Sequence, residues 1–154
     1  MLVEFAGRDN DIVGWAASAT LPEQPCDPWL VSSSVADLQE ISHSPLFSFA
    51  SHTWSHPNLA MLRDDELGIE LSRPLAWLRE TLGSVLPWVA YPYGLSSPQV
   101  AQSASNAGFA GGLLVSGGLW SRRPPDVFAL PRCSVPAGLS LDGFRLRLAG
   151  MFPR

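Results

Sequence analysis

Between Asp64 and Gly83 the chain carries one long helical signal, and its flanks narrow the kind of fold open to this sequence. Leu67, Leu71, Leu75, Leu78 and Leu82 recur at three- and four-residue spacing, which places them on one face of a helix. Asp64, Asp65 and Glu66 put carboxylates at its positive end, Gly83 stops it, and Pro74 is expected to kink it. The runs on either side, 46–51 and 88–91, are short, apolar and strand-like, the first with Phe47 and Phe49 on one face. A helical crossover between two such runs is the connection that parallel strands need, so an α/β fold with parallel strands is expected.

The rest of the chain continues the alternation. Residues 2–6 read as a strand, and 7–33, with Pro22, Pro25 and Pro28, read as a long loop with at most one helical turn. Ser34 caps a helix bearing Val35, Leu38 and Ile41, with His43 near its negative end and Pro45 closing it. Ser97-Pro98 opens another helix in cap-then-first-position order, ending at Gly108. Strands are expected over 109–115 and 127–130, and Ser140 starts a last helix with Leu141, Phe144 and Leu148. In a parallel α/β fold, the strand carboxyl ends face one way and carry the site.

At 154 residues the chain suits one packed domain, 1–154. A net charge of −4, with scattered arginines and no lysine, leaves no footprint for nucleic acid. No apolar run approaches the roughly 18–20 residues of a membrane span. The start has no signal-peptide pattern, so as written the chain reads as cytoplasmic. Cys26 and Cys133 are in no CxxC arrangement and support neither a disulfide nor a thiolate metal site.

The chemistry concentrates where the first inner strand ends. His52 and His56 stand four apart, a spacing that can bring two imidazoles onto one metal ion. Two hydrogen-bonded surface histidines would have the same spacing. The segment reads Ser51-His52-Thr53-Trp54-Ser55-His56-Pro57-Asn58-Leu59, and it resembles the His-Ser/Thr-x-x-His-Pro motif of NodB-like polysaccharide deacetylases. Ala90-Tyr91-Pro92-Tyr93-Gly94 is similar to that family's next motif, a Pro-Tyr-Gly turn at a strand end. Looser likeness runs through Glu70, Leu75, Ala107-Gly108-Phe109 and Leu130-Pro131-Arg132.

The resemblance implies a partial or distorted (β/α) barrel of the NodB-homology type and removal of N-acetyl groups from an amino-sugar polymer. It implies a divalent metal, zinc being the expected ion, bound by His52 and His56. The Thr53 hydroxyl would order the loop behind these ligands, and the Tyr93 backbone N–H would face the oxyanion. Trp54 and Tyr91, with Trp120, are candidates for an apolar shelf beneath a sugar, and Arg132 for orienting a carboxylate.

Two departures stand against full activity. Family members open on a strand ending in Asp-Asp-Gly, which supplies the base and the third ligand. This sequence has no Asp-Asp-Gly, and Asp64-Asp65 lies on a helix start. The opening strand, and any export signal with it, is expected to belong to a missing beginning. Asp9 and Asp11 are candidate stand-ins, although Asp-Asn-Asp is also ordinary turn composition. No histidine follows His56 to act as general acid. The chain is therefore expected to bind metal poorly and hydrolyse slowly or not at all, the alternative being a catalytically silent carbohydrate-binding or scaffold domain.

Overall fold

A computed structural model describes residues 14–15, 17–19, 32–118 and 126–151. The expected strand over 2–6 and most of the expected loop over 7–33 lie outside the described residues. Gly14, Trp15, Ala17 and Ser18 are helical, in keeping with one turn in that loop.

Ser34 caps α1 (Val35–Ser42) through a reciprocal pair. Its hydroxyl accepts from the Asp37 N–H at 3.2 Å, and its own N–H donates to the Asp37 carboxylate at 2.8 Å. The apolar stripe of this helix packs only lightly, since none of its residues is buried. α2 (Asp64–Leu82) has the bounds its leucine pattern predicts and runs continuously through Pro74. Leu67, Leu71, Pro74 and Leu75 are buried, and Gly83 closes the helix at φ 76°.

β1 (Trp88–Ala90), β2 (Gly111–Gly117) and β3 (Leu130–Arg132) form a sheet in the order β1-β2-β3, with both pairings parallel. α3 (Pro98–Asn106) is the crossover between β1 and β2, capped by the Ser97 hydroxyl, which accepts from Val100 N–H at 3.2 Å. The core lies between α2, α3 and this sheet and includes Leu59, Leu67, Leu71, Leu75, Val89, Tyr91, Val100 and Phe109. These helices alternating with parallel strands make a partial α/β fold.

The structure departs from the sequence expectation in three elements. Residues 46–50 are not a strand, and only Ser51 bridges to Val89 of β1. The ladder stops because Trp88 N–H turns back to Leu86 O at 2.8 Å, and Phe49 O accepts from Leu86 N–H instead. The expected strand over 127–130 begins later, because Asp126 caps a 3-10 turn over Val127–Ala129 and β3 starts at Leu130. Within the described sheet β3 pairs on one side only, the setting in which Pro131 is tolerated. β2 lies two residues beyond its expected position, with Phe109 turned into the core. α4 (Leu141–Leu148) starts at its Ser140 cap but buries none of its apolar residues.

Candidate metal centre

Ser51 fixes the start of the site. Its N–H donates to Trp88 O at 3.0 Å, its O accepts from Ala90 N–H at 2.9 Å, and its buried hydroxyl accepts from Thr53 N–H at 3.2 Å. His52 therefore leaves the sheet beside the carboxyl end of β1. Its Nδ1 lies 2.7 Å from Ala90 O. A carbonyl can only accept, so Nδ1 is the donor, and in the neutral imidazole this leaves the lone pair on Nε2, the tautomer that suits a metal ligand.

His56 completes the pair. The two imidazole centroids are 4.8 Å apart, with ring planes at 70°. Zinc–nitrogen bonds of about 2.0–2.1 Å put an imidazole centroid roughly 3.2 Å from the ion, so two ligand rings at roughly right to tetrahedral angles stand about 4.5–5.2 Å apart. The observed separation lies in that interval. No group of three or more His, Cys, Asp or Glu side chains able to hold a metal occurs among the described residues. Asp9 and Asp11 lie outside those residues.

Tyr93 reaches the same place from the other motif. Its ring is edge-on to His56, with centroids 5.1 Å apart. It sits in the Pro92–Gly94 turn after β1, where Gly94 N–H donates to Tyr91 O at 3.0 Å. Gly94 has φ 66°, and a β-carbon there would lie 2.5 Å from the Val115 backbone N, so both conformation and space require glycine.

Among the described residues, the non-glycine positions with positive φ are Thr53 at 67°, His56 at 54° and Tyr93 at 57°, all within the two motifs. Such conformations cost on the order of 1–3 kcal/mol each and persist only where surrounding contacts over-determine them. The contacts at the histidine loop come chiefly from α2. Glu70 Oε2 accepts from the backbone N–H of Trp54 and of Ser55, each at 2.9 Å, and Oε1 accepts from the Ser55 hydroxyl at 2.6 Å. One turn on, the Arg73 guanidinium stacks 3.9 Å above the Trp54 ring. On the far side, Pro57 is buried, and Asn58 Oδ1 accepts from Ala60 N–H at 3.2 Å to start the turn that seats Leu59 in the core.

The remaining expected site residues are distributed differently. The Thr53 hydroxyl is buried with no hydrogen-bond partner among the described residues, and the loop is tied to Glu70. The aromatic shelf is divided, because Trp54 is 41% exposed whereas Tyr91 is 1% exposed and belongs to the core. Trp120 lies outside the described residues. The Tyr91 ring crosses Gly112, and burial raises its phenol pKa above the ordinary value, with Ser96 lowering it in part and Asp126 adding to the rise. Arg132 ends β3, so the parallel register puts it at the same end of the sheet as the histidines, and its Nε donates to Leu114 O. Glu70 is the residue that sequence reasoning undervalued. It adjoins the Leu67–Leu71 stripe but gave no sign of which backbone it would meet.

The sequence profile of a family described as polysaccharide deacetylase matches residues 25–112. A search of the curated proteins finds no match. Among solved structures, the deacetylase PplD of Streptococcus pyogenes, in complex with acetate, is similar at 20% identity and a TM-score of 0.70, over 79% of this chain and 53% of that one. A polysaccharide deacetylase of Bacillus cereus is similar at 17% identity and a TM-score of 0.68, over 92% of this chain and 48% of that one. At such identities the likeness establishes the fold, and the chain spans about half the length of these structures.

Proposed function

From the premise that this chain belongs to the polysaccharide deacetylase family, we propose that its site is that of a metal-dependent hydrolase for the N-acetyl groups of an amino-sugar polymer or glycoconjugate. The observation that carries this reading is the convergence of His52 and His56, 4.8 Å apart, with Tyr93 beside His56 at the carboxyl edge of the sheet. In the reaction, water adds to the amide carbonyl, the carbon–nitrogen bond breaks, and acetate and the free amine leave.

His52 and His56 would hold the ion, with zinc the expected one. When bound, it would lower the pKa of a water and polarise the amide carbonyl. His52 is prepared for this, because Ala90 O holds its proton on Nδ1. The Tyr93 backbone N–H would donate to the oxygen on which charge develops, and the rigid turn fixes that donor beforehand. Exposed Trp54 would meet a sugar face, and Arg132 would orient an acidic group across the site.

The sequence contains no Asp-Asp-Gly and no histidine after His56, so the motif that usually supplies base and third ligand and the late general acid have no match in it, and Asp9 and Asp11 are the candidate stand-ins for the former. Two histidines make a loose site. The 154-residue chain is therefore expected to take up zinc weakly and to release little or no acetate from N-acetylglucosamine oligomers. Calorimetric zinc titration of the parent, His52→Ala and His56→Ala tests this. Weak uptake lost in both variants is expected, and equal uptake by the parent and both variants would end the metal reading. Tight stoichiometric zinc with brisk acetate release would contradict the expected impairment.

A catalytically silent carbohydrate-binding or scaffold domain is the second reading, favoured by the lack of a third candidate ligand among the described residues. Saturable binding of chitooligosaccharide without zinc and without acetate release would select it.

A further inference from the structure

We propose that Glu70 is the positioning residue that makes His52 and His56 converge, acting as a built-in anion that holds the histidine loop in its strained shape. The link from ring geometry to zinc rests on the deacetylase reading; the link from Glu70 to ring geometry does not.

The loop from Thr53 to His56 has a left-handed residue at each end, φ 67° and φ 54°. Between them, the N–H groups of Trp54 and Ser55 point at a single oxygen, Glu70 Oε2, at 2.9 Å each. Successive N–H groups converging after a left-handed residue form a concavity that binds anions. In this chain a carboxylate on the neighbouring helix fills it. The second oxygen takes the Ser55 hydroxyl at 2.6 Å, so three donors meet one carboxylate. Hydrogen bonds to an ionised acceptor are stronger than neutral ones, which makes Glu70 the dominant tie on this loop.

The tie is stiff at its other end. Leu67, Leu71 and Leu75 are buried at 0%, 0% and 2% exposure, anchoring α2 on both sides of Glu70. Arg73 lies on the same helix and covers Trp54, so the helix grips the loop by two adjacent residues. The positive φ of His56 directs its ring toward His52 and Tyr93, and this loop shape sets that φ. Without the anion, Thr53 and His56 are free to relax to ordinary backbone conformations, and the imidazoles diverge.

The test uses the full chain with Glu70→Ala and Glu70→Gln. Glutamine keeps one acceptor oxygen for the paired N–H groups, and its NH2 can donate to the Ser55 hydroxyl, so it should rescue most of the geometry. Three readouts are taken: amide hydrogen exchange, proton contacts between the rings of His52, His56 and Tyr93 in metal-free protein, and zinc titration. In Glu70→Ala, exchange at the Trp54 and Ser55 amides should quicken at least about tenfold, the ring contacts should vanish, and zinc affinity should fall about 10- to 100-fold. Core amides of α2 and α3 should keep their protection, and Glu70→Gln should fall between parent and alanine variant.

Persistence of the ring contacts in Glu70→Ala would overturn the proposal. So would a loss of α2 and α3 protection in both variants, which would mark Glu70 as a general stabiliser. If the parent takes up no zinc at these histidines, the metal reading fails, and the ring contacts in metal-free protein still decide the role of Glu70.

Discussion

The same substitution, glycine to alanine, should have opposite effects at two positions, and the packing around Tyr91 supplies the reason. Gly112 in β2 faces the Tyr91 ring, and a β-carbon there would lie 2.6 Å from ring carbon Cε2 and closer still to the hydroxyl end. Carbon atoms sit best at about 3.5–4.0 Å, so the ring would have to retreat by about 1 Å. It has nowhere to go, being 1% exposed within the core. Overpacking of this kind costs about 1–3 kcal/mol, offset by the roughly 0.5–1 kcal/mol that alanine recovers through a less flexible unfolded chain. Gly112→Ala should therefore destabilise by about 1–2 kcal/mol.

Gly68 lies inside α2 with nothing within 4 Å of an added β-carbon, so Gly68→Ala should stabilise by about 0.5–1 kcal/mol. Urea titrations of both variants and the parent read the difference directly, with unchanged slopes showing that the unfolding transition itself is the same. Placing Tyr91→Leu in the Gly112→Ala background should cost less than the same change in the parent, because the two residues share one space. Stabilisation by both alanines, or values within about 0.5 kcal/mol of each other, would refute the packing argument.

Two pH effects follow from groups whose pKa values move on folding. Burial raises the Tyr91 phenol above 10.0, so its contribution to stability is full below pH 10.0 and is lost as pH climbs through the folded value. The loss has a slope of up to about 1.4 kcal/mol per pH unit. Tyr91→Phe should remove that alkaline component in urea titrations from pH 9 to about 11.5; identical alkaline profiles would exclude Tyr91 as its source. Asp37 moves the other way, held below 3.8 by its hydrogen bonds with Ser34, so the α1 cap is intact above pH 3.8 and is lost as pH falls through the folded value. Amide exchange in α1 should rise in that window before α2 responds, and Asp37→Asn should remove the transition; an α1 that persists unchanged through the acid range would contradict the capping role.

Much of the fold was legible because local chemistry decides it. The acidic start, leucine period and terminal glycine of α2, the Ser34, Ser97 and Ser140 caps, and the Pro-Tyr-Gly turn all act within one or two helical turns of chain. The closeness of the two histidine rings was legible for the same reason, since both belong to one short loop. Strand limits were less legible. Whether 46–50 forms a ladder depends on where Trp88 N–H points, 38 residues beyond position 50, and β3 begins where Asp126 releases its turn.

By itself the sequence determined the parallel alternation, the helix ends and the closeness of the two histidines, because each is fixed by neighbours along the chain. Only the tertiary structure decided that Glu70 accepts hydrogen bonds from the histidine loop and that Tyr91 packs inside while Trp54 faces out. Hydrogen-bond partners 15 and 16 residues apart, like burial against a distant strand, are set by how α2 docks on the sheet, and no local pattern of side chains encodes that docking.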